Sequence, residues 1–414
     1  MLIHWIWLAT RPNLNDRDKL AVLEHFQDPE NAFFAQAEQY EAVEQLSAEG
    51  RAALADKNLK PAEDILADCA RAKIHMLTYR DAQYPSRLRN ISDAPLVLYY
   101  KGNLPDLDGS PVIAVVGTRK ASMYGLTTAK RMGFQIGRCG GIVVSGVASG
   151  VDSLAMQGAL TAGQTVGGVL GCGVDVVYPP SNKALFADTE RYGCLLSEFP
   201  PGTPPYKWNF PKRNRIMSGL SDGVLVVEAP ERSGALITAR QAADQGRDVF
   251  VVPGNIDVPS CAGSNALLRE GAILAQSGWD VVGEYQHLYP QRIRKDNTPS
   301  RQRAYPDEAA EENPPAKVAQ KPRIPEVSAL TPAENDKKAI DKTAPAAYSG
   351  DKMPLGLTDD EKALVTTLGG GEMLVDDLIA QTGIPAGKLL ATLTLLEVKG
   401  LVITLPGRRV KLKQ

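Results

Sequence analysis

The chain has 414 residues, 43% hydrophobic and 23% charged, with a formal net charge of -2. That length accommodates two or three domains at roughly 100–200 residues each. The near-neutral balance excludes a globally basic protein, so any nucleic-acid site must be a local patch.

Met1 to Ala9 is apolar but lacks a preceding basic region, and charged residues follow from Arg11 to Lys19. No apolar run approaches the roughly 20 residues needed to cross a bilayer. The expectation is a cytoplasmic protein without a membrane partner. Residues 1–73 read as a helical N-terminal domain, with Leu20, Leu23 and Phe26 on one helical face. Further helices are expected over 42–54 and 61–72, the latter opened by Pro61, and a linking strand over 73–78.

Val112-Ile-Ala-Val-Val-Gly117 is a β-branched run ending in glycine, and the segments 142–145, 165–170, 195–197, 224–228 and 249–252 are similar short apolar runs. Helical stretches such as 125–138 and 152–162 separate them. Wholly apolar strands alternating with helices indicate a Rossmann-like α/β domain, a parallel sheet covered on both faces, over residues 74–285. Residues 286–354 lack periodicity, are crowded with Pro, Ala, Glu and Lys, and read as a disordered linker. From 355 to 414, helices at 359–368, 374–382 and 385–399 precede strands at 401–404 and 410–412, a C-terminal winged-helix pattern. Its Lys388, Lys399, Arg408, Arg409, Lys411 and Lys413 leave open whether it meets DNA or protein.

Ligands of an open parallel sheet bind beyond the C-terminal strand ends. The first such end is Gly117-Thr118-Arg119, where glycine admits a phosphate and arginine offers a charged fork. It is neither GxGxxG nor a P-loop, so no nucleotide cofactor is expected. The second, Ser145-Gly146 through Gly150-Val151-Asp152, enters a helix whose free N–H groups favour an anion, although a tight turn needing glycine reads equally well. The strongest signal is Phe210-Pro-Lys212-Arg213-Asn214-Arg215, three cations beside rings that could stack on bases. Against it stands an ordinary solvated charge run. Ser233-Gly234 with Thr238 reads as a further phosphate or ribose cradle, and Pro253-Gly254 and Gly263-Ser264-Asn265 add compact loops.

Five dispersed cysteines without CxxC, and four histidines without HExxH, suggest neither a metal site nor a disulfide framework. Cys172, between two glycines, reads as packed rather than reactive because no histidine is near in sequence.

Taken in order, these motifs resemble the DNA-processing protein A (DprA/Smf) family of bacterial transformation proteins. The resemblance rests on Val115-Val116-Gly117-Thr118-Arg119, Val144-Ser145-Gly146, Gly150-Val151-Asp152, Gly158-Ala159-Leu160, Tyr178-Pro179, Ser197-Glu198, Phe210 to Arg215 and Ser233 to Ala239, with Tyr84-Pro85 and Leu98 to Gly102 upstream. It implies a single-stranded DNA-binding protein of natural transformation, a homodimer that helps load the recombinase RecA onto incoming DNA, and not an enzyme. The DNA contacts it implies are Arg119, Lys183, Phe210, Arg213 and Arg215. Asn214, Gly146 and the Ser233–Gly234 loop would shape the pocket. Gly117, Thr118, Ser145, Lys212, Thr238 and Asn265 complete the candidate site. Two positions depart from the pattern: Ser149 stands where the family usually has arginine, and Met156 where it has histidine. The alternative is a Rossmann-like hydrolase of the phosphoribohydrolase type, for which Asp152, Glu198 and Glu228 are the carboxylates at hand.

Overall fold

A computed structural model describes residues 1–295, 358–369, 371–405 and 409–413. These fall into two compact units, Met1–Ala310 and Glu311–Gln414. The first opens with helices α1 (Leu2–Ala9), α2 (Asp16–Phe26), α3 (Pro29–Phe34), α4 (Ala48–Ala55) and α5 (Lys60–Ala72). The apolar N-terminus is therefore a core helix: Trp5, Ile6, Trp7 and Leu8 are buried in a core shared with the sheet residues Tyr99 and Ile113. The helix expected over 42–54 begins only at Ala48, because Ser47 accepts the Gly50 N–H at 3.1 Å and caps it.

The chain continues through β1 (His75–Thr78), α6 (Ser86–Arg89), β2 (Val97–Gly102), β3 (Val112–Val116) and α7 (Met123–Arg138). Then come β4 (Ile142–Ser145), α8 (Val151–Thr161), β5 (Val166–Val169), α9 (Lys183–Tyr192) and β6 (Cys194–Ser197). α10 (Asn209–Leu220), β7 (Gly223–Val226), α11 (Gly234–Asp244), β8 (Asp248–Val251), α12 (Ala262–Arg269), β9 (Ile273–Leu274) and α13 (Gly278–Val282) follow. The sheet order is β1-β2-β6-β5-β4-β3-β7-β8-β9. β6 through β9 run parallel, as the apolar strands require, while β1 and β2 add an antiparallel edge, so the sheet is mixed. β3 pairs with β4 on one side and β7 on the other. The winding reverses there, which places a crevice beyond the ends of those strands.

The first ten residues of the expected linker belong to this unit. Tyr289 donates to Asp222 at 3.0 Å, and Ile293 is 1% exposed in the core. The rest of that segment, residues 296–354, lies outside the described residues.

The second unit contains α14 (Asp359–Leu368), β10 (Met373–Leu374), α15 (Val375–Thr382), α16 (Ala386–Val398), β11 (Val402–Leu405) and β12 (Arg409–Leu412). Its strands form one small sheet, order β10-β12-β11, over a core of Leu364, Leu378, Leu389 and Leu396. This is the expected winged helix. Of the basic residues named above, Lys388 pairs with Asp360 at 2.6 Å, Lys399 with Glu361 at 2.7 Å and Arg409 with Glu372 at 3.2 Å. Arg408 lies outside the described residues.

Candidate nucleic-acid interface

The loops after β3, β4 and β7 meet at the switch point and are tied to one another. Thr118 donates its N–H to the Glu228 carbonyl at 2.7 Å. Ser122 caps α7, accepting the Gly125 N–H at 3.1 Å, and gives its own N–H and hydroxyl to the Glu228 carboxylate at 3.0 and 2.6 Å. Gly150 has φ +84°, and a Cβ there would stand 2.5 Å from the Thr118 carbonyl, so the close approach of these loops requires glycine. Val147, buried and β-branched, holds φ 53°, a conformation such residues rarely adopt.

Between the loops lies a cavity of about 600 Å³, whose lining includes Gly117, Thr118, Arg119, Lys120, Phe210, Arg213, Asn214, Arg232, Ser233, Gly234 and Thr238. A smaller recess of about 50 Å³ shares Arg119, Phe210 and Arg213 with it and adds Gly146, Ser149 and Tyr178. Four cations, Arg119, Lys120, Arg213 and Arg232, line the larger cavity against one carboxylate, Asp152. A chain of slightly negative net charge thus concentrates positive charge at its switch point, where a low-dielectric wall strengthens attraction for anions.

The run from Phe210 to Arg215 is not a loop. It lies within α10, where successive residues turn by about 100°. Phe210, Arg213, Asn214 and Met217 therefore share one helical face, and all four line the cavity. Arg215, two residues past Arg213, points about 200° away. It is 3% exposed and meets Glu198 at 2.5 Å, Asp16 at 2.8 Å and Asp93 at 3.4 Å. Burial by itself would lower its pKa, but Glu198 and Asp16 outweigh that and hold it above the ordinary arginine value. Arg215 is thus an internal ion-pair hub joining α2 to the sheet, and the expectation that it holds a phosphate is corrected. Lys212 lines a different groove, beside Lys19, Tyr99 and Glu198.

Arg213 sits at the cavity floor, 5% exposed, donating to the Val169 carbonyl and, at 3.3 Å, to Asn214 Oδ1. Burial pushes its pKa down to about 10, with Asp152 acting against the shift and Arg119 adding to it. Asp152 is itself raised by burial, opposed by Arg213 and by the N–H groups of Gly146 and Ala148. The Gly146 N–H reaches it at 3.1 Å. The turn after β4 therefore fills its anion cradle with its own aspartate, and these N–H groups are not free for a ligand. Gly146 serves otherwise: a Cβ there would lie 2.4 Å from the Arg213 guanidinium.

Phe210 is half-buried, with Arg119 over its ring at 5.3 Å and Tyr178 tilted against it at 5.7 Å. A ring and a guanidinium plane held this way are surfaces of the kind on which bases stack. Ser233 caps α11 by accepting the Ala235 N–H at 3.2 Å, which leaves Gly234 open toward the cavity.

Other candidates fall outside the cavity. The Ser145 hydroxyl sews β4 to β3 through the Val115 carbonyl at 2.6 Å. Asn265 clamps the Gly254 N–H and carbonyl at 3.1 and 3.2 Å, and so braces a loop rather than a ligand. Lys183 is exposed at the start of α9 and lines neither cavity. Met156 is fully buried in the core, so an apolar side chain suits its surroundings. Cys172 is buried, and burial pushes its thiol up to about 11, as expected of a packed cysteine. Lys120 and Arg232 are cavity residues that the sequence reading passed over; their only signal was adjacency to Arg119 and to Ser233-Gly234.

A doubly wound sheet with a cationic, aromatic-lined crevice at its switch point defines a Rossmann-like protein whose crevice suits an anionic ligand. Residues 75–286 match the DNA recombination-mediator protein A family, and residues 349–408 match the DprA winged helix domain. The chain is 41% identical to DNA processing protein DprA of Bacillus subtilis, over 53% of this chain and 74% of that protein. It is 33% identical to protein Smf of Synechocystis, over 85% of this chain and 83% of the relative. The X-ray structure of DNA processing protein A from Streptococcus pneumoniae aligns with a TM-score of 0.61 at 35% identity, covering 69% of this chain and 98% of that one. The chain belongs to the DNA-processing protein A (DprA/Smf) family.

Proposed function

We propose that the chain binds single-stranded DNA in the switch-point crevice, with Arg119, Lys120, Arg213 and Arg232 facing phosphates and Phe210 facing a base. The observation that carries this is the lining itself: four cations and one carboxylate around a half-buried ring. Single strands suit it because only unpaired bases can enter and stack. Gly117, Thr118, Asn214, Ser233, Gly234 and Thr238 shape the walls. In line with its family, the protein acts in the cytoplasm as a homodimer that helps load RecA onto incoming DNA. We extend the helical and α/β unit beyond residue 285, because Tyr289 and Ile293 pack into it.

Hydrolysis has less in its favour. Of the three carboxylates considered, Asp152 reaches the cavity already bonded to its own turn. Glu198 is engaged by Arg215, and Glu228 by Ser122. The test is anisotropy with the full chain and labelled single-stranded or duplex oligonucleotides. Tighter binding of the single strand is expected; equal or stronger duplex binding overturns the reading. RecA filament assembly on strands coated with single-strand-binding protein, with and without this protein, tests the loading role, and sedimentation tests the dimer.

A further inference from the structure

The cavity accounts for Phe210, but not for the two large aromatics just before it. Tyr206 and Trp208 stack nearly parallel, centroids 4.8 Å apart and planes 9° from each other. Both are exposed, Tyr206 by 44% and Trp208 by 66%. The other tryptophans behave as core residues: Trp5 and Trp7 are buried, and Trp279 is half-buried beneath Lys295.

The loop that presents the pair is braced along its length. Pro200, Pro201, Pro204 and Pro205 fix its backbone. The Asp175 carboxylate accepts the Gly202 N–H at 2.9 Å, and the Gly173 N–H reaches the Thr203 carbonyl at 2.9 Å. At its far end the Asn209 side chain donates to the Gly171 carbonyl at 3.0 Å, on the wall of the recess that holds Phe210. A pre-ordered platform loses little entropy when a ligand docks.

We propose that the Tyr206–Trp208 stack is a second base-stacking platform, which receives single-stranded DNA as it leaves the cavity past Phe210. The inference rests on the cavity reading above. Trp208, the helical residue before α10, is turned about 200° from Phe210 and lies on the side of Lys212, so a strand leaving the cavity rounds the start of the helix to reach it. The charge is complementary: Lys207 lies between the two rings in sequence, Lys212 follows on α10, and both are exposed. Aromatic faces interleaved with lysines are the chemistry of sequence-tolerant strand binding.

The experiment uses the full chain and oligothymidylates from about 4 to about 16 nucleotides, the span over which single-strand sites vary. Wild-type affinity should step up once the strand outgrows the cavity. Trp208→Ala should remove that step, weakening long strands about tenfold while leaving the shortest unchanged, and Trp208→Phe should restore it. Abasic residues at the strand end should also remove the step, since they keep phosphates and delete the stacking partner. Wild-type tryptophan fluorescence should be quenched by long strands only, and that quenching should be absent in Trp208→Ala. Unchanged long-strand affinity in Trp208→Ala overturns the platform, as does an equal loss at every length. A changed sedimentation coefficient in the free variant overturns it in favour of a protein contact. If wild type binds neither short nor long strands, the cavity reading fails; if short strands bind normally and the step is missing, the platform alone fails.

Discussion

Arg213 and Arg215 are two residues apart, yet substituting Arg215 should alter stability rather than DNA binding. Arg215→Ala removes a guanidinium that is 3% exposed and held by Glu198, Asp16 and Asp93 at 2.5, 2.8 and 3.4 Å. Breaking a buried pair by deleting one partner costs about 3–5 kcal/mol, because the remaining charges stay desolvated. At about 2–4 °C per kcal/mol for a unit of this size, the melting temperature should fall on the order of 10 °C. Below that transition the folded variant should keep the wild-type salt dependence of binding. Arg119→Ala is the converse. Its side chain is exposed at the cavity, so stability should stay within about 0.5 kcal/mol. The log–log salt slope for single-stranded DNA should drop by about 0.7, one phosphate contact. Thermal melts by circular dichroism beside salt titrations of oligonucleotide binding separate the two. An Arg215→Ala protein that melts like wild type but loses salt slope would refute the helical-phase argument.

Gly146→Ala places a methyl 2.4 Å from the Arg213 guanidinium. It should displace that side chain and weaken DNA binding at least tenfold, measured by anisotropy, while the protein still folds. Gly234→Ala meets no atom within 4 Å. It should leave stability unchanged or raise it by about 0.4–1 kcal/mol; weaker DNA binding in the same protein would place a ligand against that backbone, and unchanged binding would clear it. Burial acts to raise the pKa of Asp16, but Arg215 and Lys19 outweigh it and hold the carboxyl below its usual range. A depressed folded pKa stabilises above the unfolded pKa and is lost as pH falls through the folded one. Asp16→Asn should therefore lower the melting temperature at pH 7, and the gap to wild type should close below about pH 4. A gap that persists in acid would point to packing instead.

The sequence by itself determined the doubly wound domain, because wholly apolar runs such as Val112–Val116 and Ile142–Ser145 can be buried on both faces only in a parallel sheet. It determined the winged helix and the loops around the crevice through periodicity and glycine, which are local properties. β2 escaped because its burial comes from antiparallel pairing with β6, far along the chain. Tertiary structure alone decided the roles of the two arginines. The run Phe210-Pro-Lys-Arg-Asn-Arg215 gives no sign that α10 starts at Asn209, and it is that helical phase which points Arg213 into the cavity and Arg215 away from it. Beside Glu198, Arg215 is held by Asp16, 199 residues away. Whether a charge is a ligand or a brace depends on what lies within a few ångströms of it, and for Arg215 only the fold brings those neighbours together.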